Sequence, residues 1–209
     1  MRTVAIACLV IFCGTAVLGQ TNLLHDSQPD LSADRKWLTR EQRLQPVRFA
    51  PSWISFGETE LTFFQNVSTF IVRRGGHFHQ DVALNSSDVG KYALLIAFGS
   101  SDRVFEDTNI TDHPSLYGYM METSGHIVEY LQGQRMLWES HIKDERKCLV
   151  GIFQVPEKTM YIRFFLGQAS RRGTDFDGSA ARFQKAGLYL FDSADAAKEF
   201  AGQYCAQSF

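Results

Sequence analysis

Two histidines and an aspartate stand at alternate positions: His77, His79 and Asp81. Side chains two apart on a strand share one face. The three therefore form a His-x-His-x-Asp set of the type that ligates a transition metal. A solvated strand face carries the same pattern with no metal, and that is the commoner use of alternating polar residues. A second chemistry comes from flat rings, which stack on the apolar faces of sugars while amides and guanidinium groups bond the hydroxyls. Trp53, Tyr117, Tyr119, Tyr130 and Trp138 supply rings, and Gln132, Gln134 and Arg135 supply hydrogen bonds. Tyr117 and Tyr119 share a strand face, and the Gly and Met around them are expected to leave the phenols free. Rings of this size also fill cores, which is the ordinary fate of each taken singly.

Other sets are weaker. Asp175-Phe176-Asp177-Gly178 has the start of a calcium loop but lacks the later bidentate glutamate, so a plain turn is the expectation. Glu122 and Glu129 flank a hairpin-like turn at Ser124-Gly125. They make either a carboxylate pair for glycoside hydrolysis or, as surface charges usually do, salt bridges. The chain has no Gly-x-Ser-x-Gly elbow, His-Glu-x-x-His helix or phosphate loop. The expectation is a protein that binds rather than catalyses.

The ends bear on where this chemistry takes place. Arg2 precedes an apolar run, Val4 to Cys13, and small residues lead to Gly19 before Gln20. A basic start, a short apolar centre and small residues at the cut describe a secretory signal over residues 1–19. The run is shorter than the roughly 20 residues of a membrane span. Of the four cysteines, Cys8 and Cys13 lie in that leader, leaving Cys148 and Cys205. In an oxidising compartment the pair is expected to form one disulfide, the alternatives being two free thiols or an intermolecular bond. Of four asparagines, Asn66, Asn85 and Asn109 head N-glycosylation sequons. That enrichment suits a glycosylated extracellular protein. The formal net charge of −2 gives no argument for nucleic acid or an anionic membrane as partner.

The elements that must position these residues are mostly strands. Residues 20–46 are polar and read as a flexible arm with room for one short helix. Residues 47–209 read as one domain. Leu61–Phe64, Ser68–Val72, His77–Leu84, Tyr92–Phe98, Leu116–Met121, His126–Trp138, Lys147–Val155, Thr159–Leu166 and Ala181–Phe191 are rich in β-branched and aromatic residues. Arg73-Arg74-Gly75-Gly76 reads as a turn between two of them. Many short strands at near-regular spacing predict an all-β sandwich. One segment has helical period: Ala194, Ala197, Phe200, Ala201 and Tyr204 fall on one face, with Asp192 or Ser193 as cap. A Cys148–Cys205 bridge would pin this C-terminal helix to a core strand.

Three stretches carry a resemblance. They are Gly75–Val82 with Gly90–Ile96, Cys148–Pro156 with Thr159–Phe164, and Gly178–Phe183 with Ala186–Phe191. Together they resemble the galactose-binding-like jelly roll of many carbohydrate-binding modules, over roughly residues 50–191. The resemblance implies a jelly-roll β-sandwich and a carbohydrate or glycosylated extracellular partner. Family members often carry Asp-Asp in the closing strand, where the first can bind a structural calcium. Gln184 and Lys185 stand there instead, and a lysine disfavours a cation. No cofactor is therefore expected. A structural role in extracellular matrix and a hydrolase on the same fold are the alternatives.

Overall fold

The computed structural model describes residues 20–25, 38–40, 47–49, 53–64, 67–102, 113–131, 145–169 and 179–206. They form an antiparallel jelly-roll sandwich of ten strands with one helix at the C-terminal end. The strands are β1 (Leu38–Arg40), β2 (Val47–Phe49), β3 (Trp53–Phe64), β4 (Val67–Ala83) and β5 (Tyr92–Ser101). They continue with β6 (His113–Met121), β7 (Ile127–Leu131), β8 (Lys147–Gln154), β9 (Tyr161–Ala169) and β10 (Ala181–Phe191), and helix α1 spans Ala194–Cys205.

Both layers are made from one sheet, because β3 and β4 run through each. The first part of β4 pairs with β10, through Phe70, Ile71 and Val72. Its last part, His77 to Ala83, pairs with β9. The change of partner falls at Arg73–Gly76, so this segment is a corner inside one 17-residue strand and not the expected turn between two. Arg74 and Gly75 take positive φ, 48° and 71°, and β3 carries a matching bulge at Gly57. A Cβ on Gly76 would stand 2.8 Å from the Glu58 carbonyl oxygen, and one on Gly57 2.8 Å from the Gly76 Cα. The two backbones therefore touch where the sheet folds over, and side chains there would hold them apart. The first layer runs β7-β6-β9-β4-β3-β2, and the second runs β8-β5-β10-β4-β3-β1.

The alternation of strand residues fills the space between the layers. Trp53, Phe70, Phe78, Leu95, Leu116, Met120, Phe164, Phe183 and Leu188 are all essentially buried there. Trp53 lies 4.8 Å from Phe70 and 6.1 Å from Phe164, ring to ring. Trp53 thus belongs to the core and presents no ring to a sugar. Gln184 is also turned inward, donating from Nε2 to Thr69 Oγ1 at 2.6 Å and to the Phe64 carbonyl at 3.1 Å. A neutral amide satisfies these interior oxygens.

A second cluster lies on the outer side of the second layer. Leu94, Ile96, Tyr189 and Phe191 meet Ala197 and Ala201 of α1. The helix begins where Ser193 Oγ accepts from the Ala196 amide, as an N-cap should. It ends at the Cys148–Cys205 disulfide, with the Cα atoms 5.5 Å apart. The bridge closes a span of 57 residues, worth about 4 kcal/mol by chain entropy.

The arm is not separate from the sandwich where it is described. Asn22 Oδ1 accepts from the Leu188 amide at 3.1 Å, and Leu24 is buried in the core. The His25 amide donates to Gln80 Oε1, and Gln80 Nε2 returns a bond to the His25 carbonyl. Further on, β1 pairs with β3. Residues 1–19, which read as a secretory leader, lie outside the described residues. No helix among the described residues is long and apolar enough to cross a membrane.

Candidate functional site

The outer side of the first layer gathers most of the chemistry. Its strands place residues in rows by register. In one row, Tyr117 of β6 lies opposite Phe165 of β9, which lies opposite His79 of β4, then Ile54 of β3. In the next, Tyr130 of β7, Tyr119, Arg163 and Asp81 follow one another. In the third, Ser115, Gly167, His77 and Phe56 line up. The inward partners on the same strands are Leu116, Met120, Phe164, Phe78 and Val82, so strand alternation alone sends Tyr117, Tyr119, Phe165, His77 and His79 outward.

The rings form a continuous stripe. Phe56 stacks on His77 at 5.5 Å, and His77 and His79 lie 5.4 Å apart. Both imidazoles contact Phe165 at 5.2 Å. Tyr117 lies flat on Phe165, 4.7 Å away with the planes 6° apart. Tyr119 meets Phe165 at 5.1 Å and Tyr130 at 5.3 Å, both edge to face. The stripe crosses five strands, a span of about 19 Å at the usual strand spacing. Gly167 makes the flat pose of Tyr117 fit, since a Cβ there would reach 3.0 Å from the phenol oxygen and ring.

Burial along the stripe is graded. Phe165 is 6% exposed and Tyr130 61% exposed. The sequence expectation of free phenols at Tyr117 and Tyr119 is corrected accordingly: Tyr117 gives one face to Phe165 and both are half-buried. Burial pushes the Tyr117 phenol pKa up, with a further push from Tyr119. It also pulls His77 down to about 4, helped by the nearby His79 and Arg163. His79 is lowered by burial and by Arg163, against an opposing pull from Asp81. Both imidazoles are therefore neutral at neutral pH. His79 Nδ1 is buried with no hydrogen-bond partner.

The His-x-His-x-Asp residues do share a face, as the spacing predicts, but they do not make a ligand set. Asp81 gives both oxygens to Arg163, Oδ1 to Nε at 2.7 Å and Oδ2 to Nη2 at 2.8 Å. The two imidazoles are packed among rings. No group of three His, Cys, Asp or Glu side chains among the described residues is arranged to hold a metal. Glu122 is bonded to the His126 ring at 3.1 Å, and Glu129 stands opposite Met120. The arrangement offers stacking faces and hydrogen bonds.

Gln132, Gln134, Arg135 and Trp138 lie outside the described residues, as do Asp175 and Asp177, and Asn66 and Asn109. Asn85 is exposed, at the start of a 3-10 turn over Ser86–Asp88. Sequence reasoning did not pick out Phe165, Arg163 and Phe56. The signal was present in β9, where Tyr161, Arg163, Phe165 and Gly167 alternate with Ile162, Phe164 and Leu166.

No family model matches the chain, and no curated protein matches it. Among solved structures, it is similar to the enzymatically active domain of tailspike protein 4 from bacteriophage CBA120, at 9% identity and a TM-score of 0.46. That alignment covers 81% of this chain, which spans only 21% of the tailspike chain. It is also similar to the CBM22-1 xylan-binding domain of Xyn10C from Paenibacillus barcinonensis, at 10% identity and a TM-score of 0.45. There the alignment covers 71% of this chain and 91% of the other.

Proposed function

We propose that this is a secreted, glycosylated, non-catalytic protein that binds carbohydrate, free or on an extracellular glycoprotein, along the stripe of rings on the outer first layer. The observation that carries the reading is the unbroken contact from Phe56 through His77, Phe165 and Tyr119 to Tyr130. Its exposed end offers ring faces, and its polar tips offer hydroxyl, imidazole and guanidinium groups to sugar hydroxyls. The Cys148–Cys205 bridge and the exposed Asn85 sequon support an extracellular setting. No resident calcium is proposed, since Gln184 is committed to Thr69 and Phe64.

A glycan array probed with protein purified from secreting cells tests this reading. Binding that Tyr119→Ala and Tyr130→Ala remove, with the fold intact, is the expected result. Failure to bind any glycan sinks it. A matrix role is the second reading, favoured by β7, which among the described residues pairs with β6 alone and exposes Ile127, Val128 and Tyr130. It predicts recovery in insoluble extracellular material and no soluble ligand. A hydrolase would release product and lose that activity with one carboxylate.

A further inference from the structure

The stripe carries one ion pair whose side chains are described, and it sits within a row of the site. Arg163 stands between Tyr119 and Asp81, with its guanidinium carbon 5.9 Å from the Tyr161 ring. Guanidinium recognises a carboxylate with two parallel N–H donors, and here that fork is already closed on Asp81 at 2.7 and 2.8 Å. We infer that Asp81 is a specificity-determining residue: by occupying and neutralising Arg163 it makes the stripe select uncharged glycans and reject uronic or otherwise acidic ones. The inference rests on the glycan-binding reading above.

A uronate that sought Arg163 would have to displace Asp81, leaving two carboxylates competing for one guanidinium. Like charges set side by side oppose binding and suppress the wrong partner. A sugar hydroxyl asks for less. It donates once and accepts up to twice, and the pair still holds further N–H donors and carboxylate lone pairs after its two mutual bonds. The imidazoles beside it are neutral at neutral pH and add no cation to attract an acid.

The test uses the full secreted chain and matched oligosaccharides, mannose and galactose oligomers against their mannuronate and galacturonate counterparts. Wild type is expected to bind a neutral member at least about tenfold more tightly than its acidic counterpart, a difference of one decade in Kd. Asp81→Asn frees the guanidinium and should raise affinity for the acidic chains by about tenfold, with the gain lost as salt is added. Arg163→Gln should show no such gain. Melting temperature reports that each variant is folded. Wild type binding acidic chains as well as neutral ones overturns the inference alone, as does an unchanged ratio in Asp81→Asn. Absence of binding to every oligosaccharide overturns the glycan-binding reading and the inference with it.

Discussion

The two outer faces of the sandwich both carry large apolar side chains, and they keep them from water in different ways. On the second layer, Leu94, Ile96, Tyr189 and Phe191 are covered by α1, which the disulfide holds in place. On the first layer, Phe165 is just as buried, but its cover is a ring of neighbours in the same sheet: His77, His79, Tyr117 and Tyr119. Leu94, Ile96 and Phe191 have no polar end, so they need a lid. Tyr, His and Arg shield an apolar ring with their bodies and turn polar tips to water. A face built in the second way needs no lid, whereas one built in the first way is committed to the fold.

Variants on either side can break or sharpen this contrast. Phe165→Ala removes the ring on which four others pack and should cost about 3–5 kcal/mol in urea unfolding. A loss below about 1 kcal/mol would mean the stripe is a set of independent surface rings. Replacing Cys148 and Cys205 by Ser should cost about 2–4 kcal/mol and leave glycan affinity unchanged, because the bridge lies on the opposite layer. A change in affinity would show that the two faces are coupled.

Tyr130→Ala should separate binding from folding. Its 61% exposure predicts a stability change within about 0.5 kcal/mol. Its place at the open end of the stripe predicts a binding loss of about 2 kcal/mol, roughly thirtyfold in Kd by titration calorimetry.

The smallest effect is one of pH. His77 is held at about 4 in the fold against 6.5 in the unfolded chain. Between these values the unfolded chain takes up a proton that the folded one refuses, so stability is full above pH 6.5 and falls as pH drops toward 4. The contribution is on the order of 1 kcal/mol once partial exposure is counted. Thermal melts of His77→Phe should show a shallower slope, His79 keeping its own share; an unchanged slope would place the effect on another group.

Much of the fold was legible because strand alternation is a local signal. β10 and α1 begin and end as the pattern predicts, and Ser193 caps the helix. The corner at Arg73–Gly76 was not legible, since residues that permit positive φ serve a reversing turn and a folded-over strand alike. Half of the site was legible. Tyr117 and Tyr119 on one side, and His77, His79 and Asp81 on the other, each read as sharing a face, but as two unrelated features. β9 lies between them and joins them through Phe165 and Arg163.

The sequence by itself determined that these side chains point outward together, because the period of a strand is a property of its own backbone. It also held Cys148 and Cys205, the pair that the fold joins. Tertiary structure alone decided what the outward groups do. Strand order put Arg163 against Asp81, which turned a metal-like triplet into a neutral ion pair beside two packed imidazoles. It also laid Tyr117 on Phe165 over the notch at Gly167. Residues more than forty positions apart meet only through register, and register is fixed by the whole sheet and its core.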